Sequence, residues 1–283
     1  MKKTSIGNFS KIAFLVLSSS LFVGFYLGET ISGPGSKSDF YYTWNYVLNL
    51  QENIFADPEQ WTVHTPLHYI ILSKLNLIFD SQEFVRFIAC ASAILVPYLF
   101  FLNLKIKFPD IEKNILFIFS LSIYLYPSFR YSAVWANDHI TALIFFLLST
   151  LFYFKWEKIK AYYLNKDLIL SAFFLALAVY TRQYYALIFI YFLLIFFEKL
   201  SFINFIKISL IIFVFSLPGF WLIFNFPSLL KTTFTSRFHN TFLVNFSILG
   251  FYLLPFFIGF LLQKKNKIFD NKRFQLCFLI SII

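Results

Sequence analysis

The sequence predicts an all-α protein, a polytopic bundle of about nine membrane helices with a large first outer loop. Three observations predict it. Hydrophobic residues make up 59% of the 283 positions and charged residues 13%, with 43 Phe, whereas about a quarter of an average soluble domain is charged. Apolar runs of roughly 14 to 21 residues recur along the chain, the length that needs lipid as its solvent. The basic residues then sort by side: with the N-terminus in the cytoplasm and sides alternating, 17 of the 24 Lys and Arg fall inside. Six acids accompany them there, leaving +11 inside and −1 outside from a net charge of +10. That asymmetry is the orientation signal of inner membranes.

The expected spans are 12–28, 84–104, 114–127, 139–155, 168–181, 184–198, 207–226, 246–262 and 274 onward. The first follows Lys2, Lys3 and Lys11, as a signal peptide would. Phe25-Tyr26-Leu27-Gly28 is too bulky for a cleavage site, so the segment reads as a retained anchor. Residues 1–283 read as one transmembrane domain. The run opened by Phe274 stops at Ile283, too short to cross, which reads as C-terminal truncation or as a segment buried against other helices.

The first outer loop, 29–83, is patterned. Phe40, Trp44, Val47, Leu48 and Phe55 fall near one helical face, with Asn45, Asn49 and Glu52 largely opposite. That is an amphipathic helix for the membrane interface. Pro66–Phe79 is apolar, short for a span and contains Lys74. It reads as a second interfacial helix, because counting it as a span would invert everything downstream and break the Lys asymmetry.

Composition and motifs exclude several classes. The two Cys, Cys90 and Cys277, lie inside apolar runs, so no disulfide framework or paired-Cys metal site is available. The positive charge belongs to membrane orientation and calls for no nucleic acid. The eight Gly are scattered, with no phosphate-cradling loop or nucleophile elbow. No internal repeat supports an inverted-repeat transporter.

The outer side carries the chemistry: all four His and four of five Arg. Asp39, in GPGSKSDFYY, is either a helix cap, as Ser38 could be, or a carboxylate at the mouth of a cavity, acting as general base or metal ligand. His64 and His68 flank Pro66, which breaks one-face helical spacing. Two His without a third ligand make a weak metal site and suit hydrogen bonding to a phosphate or sugar, or anchoring at headgroup level. Asn137, Asp138 and His139 open a span, where Asp138 reads as a cap that faces the same cavity. Arg182 and Gln183 interrupt LAVYTRQYYALIFIY. An arginine keeps its charge, so it must face protein, a cavity or an anion, or else snorkel to headgroups. A guanidinium beside an amide suits a phosphate oxygen pair.

Taken in order, Ser38-Asp39-Phe40 after the first span, the HTPLHYIIL stretch (His64–Leu72), Arg86 opening the second span and YTRQYYALIF (Tyr180–Phe189) resemble the GT-C superfamily of polytopic glycosyltransferases. The last segment looks like the LRQTN-type stretch of the dolichyl-phosphate-glucose α-1,2-glucosyltransferase family. The likeness covers about residues 27–197. It departs in two places: the acidic pair is reduced to Asp39 after Ser38, and Tyr184-Tyr185 stand where that family has Thr-Asn. Sugar, acceptor and metal requirement therefore stay open.

The resemblance implies sugar transfer from a polyprenyl-phosphate donor to a glycan, lipid or protein acceptor on the non-cytoplasmic face. Asp39 would be the catalytic base. Arg182 and Gln183, with His64 and His68, would bind the donor phosphate. Asp138, Arg86 and Arg130 would be accessory groups, and a divalent metal would be optional. Phe-, Ile-, Lys- and Asn-rich usage points to an AT-rich, bacterial genome, and with the spans to a bacterial inner membrane. Two rival readings are a transporter or flippase of a lipid-linked sugar, which would place charges at mid-span on several helices, and a non-catalytic envelope-assembly protein, which would tolerate loss of Asp39 and Arg182.

Overall fold

The computed structural model describes residues 3–30, 35–57, 62, 64–159 and 163–226. The spans expected at 246–262 and from Phe274 lie outside the described residues. Every described element belongs to one compact unit, Met1–Leu229.

Among the described residues every element is helical. In chain order they are α1 (Lys3–Leu27), α2 (Gly35–Glu52), α3 (Leu67–Phe79), α4 (Gln82–Ser92), α5 (Leu95–Lys107), α6 (Lys113–Leu121), α7 (Pro127–Val134), α8 (Asp138–Ile159), α9 (Lys166–Thr181), α10 (Ala186–Lys199) and α11 (Phe202–Asn225), with short 3-10 turns at Ser122–Leu125 and Gln183–Tyr185. Among the described residues four stretches are long and apolar enough to cross a membrane: Asn8–Leu27, Gln82–Lys107, Asp138–Ile159 and Phe202–Leu222. Their outward faces are apolar, with Phe9, Ile12, Leu15 and Val16 exposed on α1 and Leu210, Phe213 and Val214 on α11. Such belts are stable only in lipid or against a partner.

Local chemistry sets the breaks. Gly28 adopts φ +63 just past α1, and the Glu29 N–H closes back on the Gly24 carbonyl at 2.8 Å, a left-handed helix stop that only glycine makes cheaply. The span Gln82–Lys107 is two helices, because the Pro97 ring would meet the Ala93 carbonyl of a continuous one. The run expected as one span over 114–127 tightens into a 3-10 turn and restarts at Pro127, with Tyr126 held extended before the proline.

α2 begins at Gly35, about a turn earlier than its pattern predicts, so Ser38 and Asp39 lie inside the helix and neither caps it. Its buried face is Phe40, Trp44, Tyr46, Val47 and Leu50, while Leu48 and Phe55 are exposed. Phe55 instead pairs edge-on with Trp221, ring centroids 5.1 Å apart.

The pairing that matters most is α8 with α9. Both bury small residues, Ala142 and Ser149 on α8 and Ser171, Ala172 and Ala178 on α9. Small side chains let backbones approach, and the Ser149 hydroxyl donates across to the Ser171 carbonyl at 2.8 Å. The two helices form a hairpin that returns the end of α9 to the start of α8. Tyr180, near that end, packs beside Pro218 inside α11, donating to the Phe215 carbonyl and accepting from the Gly219 N–H at 3.3 Å.

Candidate anion site at the α8–α9 junction

Arg182 ends α9 in an extended conformation (φ −145, ψ 112), so its side chain leaves the helix axis. It does not snorkel: the side chain is 11% exposed and packs inside protein. Its Nη2 lies 2.5 Å from Oδ1 of Asp138, whose side chain is 2% exposed. Nη2 also reaches His139 Nε2 at 2.9 Å and Asn137 Oδ1 at 3.3 Å, and Nη1 faces His64 Nδ1 at 3.5 Å. The Nε donor has no partner among the described residues. The cation thus sits at the negative end of α9 and the carboxylate at the positive end of α8, where each helix dipole favours it.

Asp138 therefore does not act as a simple cap. Asn137 does the capping, its Oδ1 accepting from the His139 N–H at 3.2 Å. Ala136 precedes them in the left-handed region at φ 48, a costly place for a residue with a Cβ. His68 braces that turn. Only 2% exposed, it binds the Ala136 carbonyl through Nε2 at 2.8 Å and Thr141 Oγ1 through Nδ1 at 2.9 Å. A carbonyl only accepts, so Nε2 carries the proton and Nδ1 accepts from Thr141. Both ring nitrogens are consumed, which removes His68 from the phosphate-binding role expected of it.

His64 stays in reach of a ligand. It sits in a bend whose N–H is held by Thr62 Oγ1 at 3.1 Å. Burial, then the Arg182 charge and His139, push its imidazole down to about 3, against the hydrogen bond with Gln183 that pushes the other way. At neutral pH it faces the guanidinium as an acceptor. Gln183 thus joins the cluster through His64.

Asp39 is exposed on α2, and its carboxylate has no hydrogen-bond or ion-pair partner among the described residues. It is still felt at the cluster. Burial raises the Tyr69 hydroxyl well above its ordinary range, the Asp138 charge pushes the same way, Arg182 opposes, and Asp39 adds a smaller push upward.

Arg86 and Arg130, expected as accessory groups, are occupied elsewhere. Arg86 pairs with Glu83 at 2.6 Å, donates to the Val134 carbonyl at 3.1 Å and lies over the Phe25 and Trp135 rings. Arg130 grips Glu29 through two bonds of 2.9 and 2.7 Å. Gly24 makes room for that pair, since a Cβ there would fall 2.1 Å from the Glu29 carboxylate. Both arginines tie outer-loop turns to the bundle.

Sequence reasoning missed His139 and Tyr184 as site residues. His139 Nδ1 lies 3.3 Å from the Tyr184 hydroxyl, and the Tyr184 and Tyr185 rings stack at 4.8 Å. Both residues line a largely apolar cleft of 460 Å³ with Tyr126, Phe129, Ser132 and Leu143. The signal was present in Tyr184-Tyr185, which departs from the resembled family directly after Arg182-Gln183. Among the described residues no three His, Cys, Asp or Glu side chains gather as metal ligands.

No family model, curated protein or solved structure matches the chain.

Proposed function

We propose that the protein is a membrane glycosyltransferase that moves a sugar from a polyprenyl-phosphate donor to an acceptor hydroxyl on the non-cytoplasmic face of a bacterial inner membrane. The reading keeps the expected GT-C-like architecture, with about nine spans and interfacial helices in the first outer loop. One observation carries it: a buried, permanently charged Arg182 with an unused Nε donor, joined through His139 and Tyr184 to an apolar cleft. Guanidinium N–H donors beside an apolar groove match a ligand with a phosphate head and a hydrocarbon tail.

In this mechanism the acceptor oxygen attacks the anomeric carbon while the bond from that carbon to the phosphate oxygen breaks. The bonding pair leaves on the polyprenyl phosphate, and the acceptor proton passes to Asp39, giving inversion. Charge grows on the departing phosphate, where fixed donors in a dry site help most. Arg182 supplies them, with Gln183 and His64 around it. Asp39 suits the base role better than Asp138: it is exposed and unpaired, whereas Asp138 is held by Arg182.

The experiment is sugar transfer from a radiolabelled polyprenyl-phosphate sugar by purified protein in mixed micelles. Transfer that disappears in Asp39→Asn and Arg182→Lys, with membrane insertion intact, supports the reading. Full transfer in both variants rejects it. Movement of the labelled lipid between leaflets of proteoliposomes without turnover would favour the flippase reading instead.

A further inference from the structure

A second groove follows α8 toward the end away from Arg182. Its volume is 580 Å³, and its walls include Phe146 and Thr150 of α8 and Leu187 and Tyr191 of α10, with Lys107 and Glu157 among its residues at the far end. From Phe146 to Glu157 the helix rises about 16 Å, close to half of the ~30 Å hydrocarbon core. The groove is therefore one leaflet long. Leu187 and Tyr191 are 69% and 60% exposed, so this wall faces the lipid side of the bundle.

The polar end is built from three helices. Glu157 of α8 accepts from Lys107 of α5 at 3.2 Å and from Lys199 of α10 at 2.6 Å. The Tyr153 hydroxyl donates to the same carboxylate at 3.3 Å. Two lysines meet one carboxylate, so among these three groups one positive charge is in excess. Lys107 is the open one, its side chain 49% exposed and its ammonium 5.1 Å from the centre of the Phe154 ring. Farther along, the Thr150 hydroxyl is turned back onto the Leu147 carbonyl at 3.1 Å, so that part of the wall presents no free hydroxyl.

We propose that this groove holds one anionic phospholipid of the leaflet at the Lys107 end, with its phosphate on Lys107 and one acyl chain running along α8 and α10 to Phe146. A cationic mouth favours a lipid with net negative charge. Both Glu157 oxygens already accept hydrogen bonds, which leaves little for the ammonium of a zwitterionic headgroup. Free phosphate could meet Lys107 but would leave the apolar walls uncovered. The groove makes no use of the Arg182 cluster, and its occupancy is independent of the chemistry there.

The test is native mass spectrometry and thermal unfolding of the full chain in detergent, titrated separately with phosphatidylglycerol, phosphatidylcholine and inorganic phosphate. One net charge at the membrane surface predicts about fivefold tighter binding of phosphatidylglycerol than of phosphatidylcholine, and no shift with inorganic phosphate. Lys107→Ala should erase that preference while Lys199 keeps Glu157 paired. Thr150→Phe should reduce binding of both lipids by filling the groove with every charge in place. Equal binding of the two lipids by the native chain, unchanged binding in Thr150→Phe, or a thermal shift reproduced by inorganic phosphate would each overturn the proposal.

Discussion

Arg182 and Asp138, 44 positions apart in sequence, form an ion pair of 2.5 Å inside the protein, because the α8–α9 hairpin brings a helix end against a helix start. Removing one partner leaves a buried, uncompensated charge, at a cost of about 3–5 kcal/mol. Arg182→Ala and Asp138→Asn should each lower the melting temperature strongly. The double variant Arg182→Ala/Asp138→Asn should recover much of that loss without recovering transfer. Thermal unfolding of the four proteins gives the coupling energy, and independent, additive losses would show the pair to be inert.

As the proposed base, Asp39 should separate chemistry from folding. Its carboxylate is exposed and has no partner among the described residues, so Asp39→Asn should leave the melting temperature unchanged. A general base contributes about 10²–10⁴-fold to a rate, and transfer should fall by that order. Acceptor turnover measured at saturating donor reads this directly, and a drop smaller than tenfold would remove the base assignment.

His64 predicts a pH dependence with a definite sign. Its folded imidazole titrates at about 3, below the ordinary value of 6.5. Between those values the unfolded chain binds a proton that the folded chain does not. The contribution to stability is full above about pH 6.5 and is lost as pH falls toward 3. His64→Gln should therefore flatten the fall in melting temperature between pH 6.5 and 4 relative to the native protein.

The turn braced by His68 gives two opposite outcomes. Ala136→Gly relieves a left-handed alanine and should stabilise by about 1 kcal/mol. His68→Leu strands the buried Ala136 carbonyl and should destabilise by about 1–3 kcal/mol. Melting temperatures of the two variants check both signs. Transfer should suffer in His68→Leu through displaced Asn137 and Asp138, and neutral substitution of His68 would mean the turn holds without it.

Much of this molecule was legible in its sequence, because lipid allows only backbones that satisfy their own hydrogen bonds. The apolar runs had to be helices, Pro66 had to break the one-face spacing of His64 and His68, and Arg182 had to find protein or an anion. The sequence could not say what Arg182 would meet. Asp138 read as a cap and His68 as a ligand, since a capping carboxylate and a pairing carboxylate look alike in one dimension. A histidine with two free nitrogens also looks like one with none. The choice was made by the close approach of α8 and α9 along small residues, which places opposite dipole ends side by side. The left-handed turn at Ala136 completes it by aiming Asn137, Asp138 and His139 at one guanidinium. Partnership between distant side chains is a property of packing, and only the tertiary structure fixes it.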